Sequence, residues 1–163
     1  MEIRIIDFEV LTRHYVKYQE GINEINELKK LFMGKIEPFR KEMQNLMIVA
    51  QTGGEVLKAQ MERFEELKQE AVEIDQEYKT KSSEMQDKLT KSTYNDLEQI
   101  ISEWRELNSI DLVIGKIEVV CLNPKYESTN DILEILKEKN LFVDFKEKDT
   151  ELKENFKIIQ EES

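Results

Sequence analysis

The sequence predicts an α+β fold, mostly α: one long antiparallel helical hairpin carried by a small β-containing body. Three observations lead there. The chain of 163 residues is 36% charged yet has only five Gly and two Pro, the composition of long solvated helices with few turns. Apolar residues recur in steps of three and four over two long stretches, interrupted by Thr52-Gly53-Gly54. Short runs rich in β-branched residues lie outside those stretches, at both ends of the hairpin.

The elements follow in order. Residues 3–8 alternate and are rich in Ile, which reads as a short strand. From Leu11 the period changes. Tyr15, Tyr18, Ile22, Ile25, Leu28, Phe32, Ile36, Phe39, Met43, Leu46 and Ala50 form a helical seam. The paired glycines at 53–54 accept left-handed backbone angles and mark the tip. A second helix starts near Glu55 and carries Leu57, Met61, Phe64, Leu67, Ala71, Ile74, Tyr78, Met85, Leu89, Leu97, Ile100, Trp104 and Leu107.

If the chain folds back at the glycines, one register pairs Ala50 with Leu57, Leu46 with Met61, Met43 with Phe64, Ile36 with Ala71, Ile22 with Met85 and Tyr18 with Leu89. A shared register along both seams supports two antiparallel helices rather than one rod. A first helix of about 37 residues would measure about 55 Å. Pro38 removes a backbone donor inside it and predicts a kink. The polar stretches 79–83 and 90–93 predict loose packing on the return helix.

After Asn108 the pattern becomes strand-like again. Leu112-Val113-Ile114 and Val119-Val120-Cys121-Leu122 flank Gly115-Lys116, which reads as a tight hairpin turn. Asn123-Pro124 ends the strand. Thr129 is the expected N-cap of a short helix over 132–139, with Asp131 in its first turn and Asn140 as C-cap. Residues 141–163 read as a charged tail, mobile or dependent on a partner.

Several function classes are disfavoured. A net charge of −11 opposes binding to nucleic acid and to anionic membrane surfaces. One cysteine and one histidine leave little for metal coordination or thiol catalysis. Cys121 sits in an apolar run and is expected to be buried. His14 reads as an ordinary helix-start residue, and Trp104 as core. There is no Gly-rich phosphate loop and no nucleophile–base set. The chain is therefore expected to have no catalytic chemistry and no cofactor.

The arms carry the candidate contact residues. Met43, Met61 and Met85 lie on the seam and are expected to pack there. Met33 and Met47 lie off it, and Met is an adaptable contact residue. The run Leu46-Met47-Ile48-Val49 cannot face one seam in its entirety, so part of it must be exposed or touch a partner. Met33, Met47, Ile48 and Val49 are the candidate client-binding residues.

The opening Ile3-Arg4-Ile5-Ile6-Asp7-Phe8-Glu9-Val10-Leu11, the Thr52-Gly53-Gly54 turn, and the series Ile110-Asp111-Leu112-Val113-Ile114, Val119-Val120-Cys121-Leu122 and Ser128-Thr129-Asn130-Asp131-Ile132-Leu133 together resemble the Skp/OmpH family of periplasmic chaperones over about residues 2–139. Thr129 matches the family's helix-start threonine, whereas Glu127 and Ser128 depart from the residues before it. The resemblance implies a homotrimer whose short strands close into a β-barrel, with helical tentacles around a cavity for unfolded client proteins. On that plan the body is 1–14 and 108–140, the hairpin 15–107 with its tip at 52–54, and the tail 141–163. Ile5, Val113 and Val120 would be buried in the oligomer body. The chain departs from the well-known members in being strongly acidic, so no lipid contact is carried over.

The first residues lack the basic start, apolar stretch and cleavage site of a secretory leader. The expected compartment is periplasmic if a leader was removed and cytoplasmic otherwise. The competing reading is a structural coiled-coil spacer in a larger assembly, of viral origin on one version. A prefoldin-like oligomer fits less well, because it usually sets its strands between the helices.

Overall fold

The computed structural model describes residues 1–51, 58–119 and 121–144. Within them the order is β1 (Ile3–Ile6), α1 (Phe8–His14), α2 (Val16–Gln51), α3 (Lys58–Leu107), β2 (Leu112–Gly115) and α4 (Thr129–Glu138), with single 3-10 turns at Lys116–Glu118 and Pro124–Tyr126. The fold is mostly helical, with two long packed helices and a small two-stranded sheet. The chain divides into two compact units, one of Met1–Gln19 with Leu97–Ser163, the other of Glu20–Asp96.

The first unit holds the sheet and the main core. β1 and β2 pair in parallel, Ile3 beside Leu112 and Ile5 beside Ile114. Parallel strands need a long crossover, and here the two long helices supply it. This corrects the predicted strand hairpin. Gly115 closes β2 with an ordinary φ of −69°, whereas a tight hairpin turn starting there needs a positive φ. The chain then enters the 3-10 turn. Val119 joins no strand, and Val120 lies outside the described residues. The other side of β1 is covered too: Ile5 bridges Glu127, and the Ser128 amide donates to the Ile5 carbonyl at 2.8 Å.

Helix ends in this unit are explained by their caps. Asp7, predicted inside a strand, accepts from the Val10 amide at 3.1 Å and starts α1. At the end of α3, Ser109 takes φ 52°, and the Ile110 amide returns to the Arg105 carbonyl at 3.0 Å. Asn140 does the same after α4, with φ 56° and the Leu141 amide on the Leu136 carbonyl at 2.8 Å. Both are left-handed caps that satisfy orphan carbonyls, and the second agrees with the sequence reading. The start of α4 is shifted by one residue: Ser128 occupies the cap position and makes no side-chain cap bond. The Thr129 hydroxyl instead accepts from the Asp7 amide at 2.7 Å and donates to Glu127.

One sequence expectation fails here: the seam Leu11–Tyr15–Tyr18 predicts an unbroken helix. Of the tail read over residues 141–163 as mobile or dependent on a partner, 145–163 lie outside the described residues, and Leu141 and Phe142 pack on the body. In the structure Tyr15 is extended, at φ −82° and ψ 119°, and bridges antiparallel to Phe142. The Val16 amide donates to the Leu141 carbonyl at 2.9 Å, and the Val143 amide to the His14 carbonyl at 2.8 Å. The Phe142 ring stacks on His14, centroids 5.1 Å apart. Residues 141–143 thus form a short strap across the α1–α2 joint. Leu11, Tyr15, Leu97, Trp104, Ile132 and Leu136 form the core beneath it.

The second unit holds the rest of α2 and α3. Its seam follows the predicted stripe, with Ile22, Ile25, Leu28, Phe32, Ile36, Phe39, Met43 and Leu46 half-buried or buried on α2. α2 runs unbroken through Pro38. The turn at Thr52-Gly53-Gly54 lies outside the described residues. Thr93 fills the seam between Leu89 and Leu97 at 3% exposure, so the polar stretch 90–93 is no gap. Met61, assigned to the seam from sequence, is exposed here, as is Leu107 in the first unit.

Candidate functional site

A helix pair with one narrow seam buries one residue in every three or four and leaves the rest in water. In the second unit the anchors of that seam are Phe32 and Leu67, both buried. Phe32 meets Tyr78 at a centroid distance of 5.6 Å. The ammonium groups of Lys35 and Lys81 lie 4.6 and 5.6 Å from the Phe32 ring, so cations shield its outer face. Further along, Leu89 packs where a side chain on Gly21 would stand, 2.4 Å from an ideal Cβ. The predicted register set Leu89 against Tyr18. Tyr18 also packs on the body core, and Gly21 lies three residues on, on the same face of α2.

With the seam occupied, other apolar side chains on α2 and α3 are left outward. Five consecutive apolar residues, Leu46 to Ala50, cover more than a full turn of helix, so they cannot all reach α3. Leu46 is half-buried, and Met47, Ile48 and Val49 are exposed, Met47 at 52%. On α3, Met61 is 62% exposed and Phe64 half-buried. Leu46, Met47, Ala50, Met61 and Phe64 together line an open apolar groove of about 340 Å³, with Gln60 and Glu65 at its rim. Leu46 and Met61 keep the facing position that the sequence register gives them.

Of the four candidate residues, only Met47 enters this groove. Ile48 and Val49 are exposed next to it in sequence. Met33 is 57% exposed and lines a separate hollow of about 290 Å³ with Gly34, Ile36, Glu37 and Arg40. The residues missed from sequence are Met61 and Phe64, both assigned to packing. The usable signal was their position opposite Leu46 and Met43, beside an apolar run too long for one seam.

Charge on this unit is dense and mostly paired. Arg63 lies 3.0 Å from Glu42, 3.3 Å from Glu66 and 3.7 Å from Glu70. These carboxylates, Glu42 first, hold its guanidinium above the ordinary arginine range. Lys81 donates to Glu77 at 2.5 Å and holds that carboxyl below the usual range. These groups are exposed, so each pair is worth little to stability.

In the first unit, Ile5 is only 7% exposed within the single chain. Its burial needs no second copy. Val113 is half-buried against the core. Cys121 is exposed, contrary to the expected burial, because neither it nor Val119 joins the sheet. His14 sits at the end of α1, and its Nδ1 lies 2.9 Å from the Val143 carbonyl oxygen. Among the described residues, no group of three or more His, Cys, Asp or Glu could hold a metal ion. No helix among them is long and apolar enough to cross a membrane. Compared with protein-family models and with curated proteins, the chain matches none.

Proposed function

We propose that the chain is a holding chaperone that works without ATP and has no catalytic role, shielding apolar segments of unfolded client proteins. The observation that carries this reading is the set of solvent-facing apolar side chains on the helix pair. Leu46, Met47, Met61 and Phe64 border an open groove, with Met47 and Met61 more than half exposed. An open groove lined by apolar side chains, with polar groups at its rim, fits apolar segments of another chain. Met supplies the adaptability a promiscuous surface needs.

The oligomer expected from the family resemblance is part of the proposal. Among the described residues β2 pairs on one side only, and a two-stranded sheet with an open edge is marginal alone. Pairing that edge in a homotrimer, as a closed barrel, would remove it. The expected result is light scattering at the mass of three chains. The purified protein should also suppress aggregation of an unrelated unfolded protein at near-stoichiometric ratio without nucleotide. An intact trimer with no such effect would favour the spacer reading, in which the helices set a distance and bind no client.

A further inference from the structure

The apolar groove does not end in neutral surface. Glu65 at its rim also belongs to a second hollow on α3, lined by Glu62, Glu65, Glu66, Gln69, Val72 and Glu73, with Lys68 the one cation among its lining residues. These positions repeat at helical spacing, so they form one stripe that continues the groove along the helix. Val72 is exposed within it. The nearby cations are already shared. Arg63 serves three carboxylates, Lys68 lies 3.5 Å from Glu65, and Lys58 lies 3.7 Å from Glu62. Among the described residues, Glu73 meets the Gln69 amide, at 3.2 Å, and no cation. Carboxylates therefore outnumber cations along the stripe, and the exposed pairs can be exchanged at small cost.

That juxtaposition selects among occupants. A second copy of this chain carries a charge of −11 and would meet like charge. The chain's own residues 145–163 hold more acids than bases and meet the same repulsion. An anionic lipid surface is opposed on the same ground. A polypeptide segment that sets Lys or Arg beside apolar residues satisfies both halves at once, and charge complementarity of this kind governs partner choice and encounter rate.

We propose that groove and stripe form one docking surface for a cationic amphipathic segment of a client polypeptide. Its apolar side chains enter between Met47 and Met61, and its Lys or Arg side chains lie along Glu62, Glu65, Glu66 and Glu73. This names the client class for the holding function and rests on that reading for the client's unfolded state.

The test uses the full-length protein and three labelled peptides with the same apolar centre, flanked by Lys, by Glu or by Ser, followed by fluorescence anisotropy. The Lys-flanked peptide should bind about tenfold more tightly than the Glu-flanked one at low salt, with the gap closing as salt screens the stripe. The combined E62Q/E65Q/E66Q/E73Q variant should lose the preference and keep its affinity for the Ser-flanked peptide. M47E/M61E should weaken all three peptides. A control variant, E98Q/E103Q, removes two charges outside this unit and should change nothing. Equal binding of the Lys and Glu peptides, or a preference that survives the four Gln substitutions, overturns the proposal. If aggregation is suppressed without regard to client charge, the docking inference falls and the chaperone reading stands. If the Lys peptide binds as described but no aggregation is suppressed, the chaperone reading falls alone.

Discussion

Phe32 shows how much a thin seam asks of single residues. It is the most buried side chain of α2, wedged against Tyr78 beneath two lysines. Phe32→Ala should cost about 3 kcal/mol or more, because a seam one residue wide has little around it to collapse into the cavity. A urea titration would read this as a lower midpoint. Gly21 tests the opposite limit. Gly21→Ala gains about 1 kcal/mol of helix propensity but places a Cβ against Leu89, so the net change should stay within about 1 kcal/mol. Gly21→Val keeps the clash, adds bulk and loses most of that propensity, so it should destabilise by about 2 kcal/mol. Equal thermal midpoints for the Ala and Val variants would show that Leu89 moves aside freely. Phe32 was legible in the sequence as a seam position. The role of Gly21 was not, since a contact made by an absent side chain leaves no periodic signal.

At the level of elements, local patterning and long-range pairing part company at Tyr15. The apolar steps through Leu11, Tyr15 and Tyr18 fit one continuous helix, and nothing local breaks it. The break comes from residues 141–143, which pair with His14 to Val16. Such a pairing has no signature in a window of ten or twenty residues. Phe142→Ala removes the bridge's main side chain and its stacking on His14. It should cost about 1–2 kcal/mol and speed amide exchange at Val16 and Val143, with amides of the Glu20–Asp96 unit unchanged. Asn140 holds the turn that aims the strap. Asn140→Ala should cost about 1 kcal/mol at its positive φ, whereas Asn140→Gly should be near neutral. The cap at Asn140 came from chemistry carried in the sequence itself, whereas Asp7, read as part of a strand, is the cap that starts α1. The strand hairpin at Gly115 was misread because glycine licenses a turn without requiring one, and the edge of β2 had been claimed by β1.

Across the whole molecule, stability and the proposed client contact draw on different residues. Phe32, Leu67 and the body core are buried, while Met47 and Met61 face solvent. Met47→Glu with Met61→Glu should therefore leave the thermal midpoint within about 0.5 kcal/mol of the parent. The same double variant should raise the chaperone-to-client ratio needed to prevent aggregation several-fold. A light-scattering assay on a chemically unfolded substrate would separate the two effects. The division was partly readable in advance. Met33 and Met47 stood off the seam in the sequence, but Met61 stood on it. Its exposure, at 62%, had no mark in the periodic pattern.

The parallel pairing of β1 with β2 carries a consequence for how the chain is made. Glu2 meets Asp111 across 109 residues, and His14 meets Val143 across 129. A ribosome adding about 5–20 residues per second leaves β1 and the Leu11–Tyr15 face without their partners for roughly 5–20 s or more. The helix pair in between makes shorter spans, Phe32 to Tyr78 and Gly21 to Leu89, and can form before β2 is made. Translation therefore closes the body last, and for that interval the nascent chain exposes the kind of apolar segment it is proposed to shield in others.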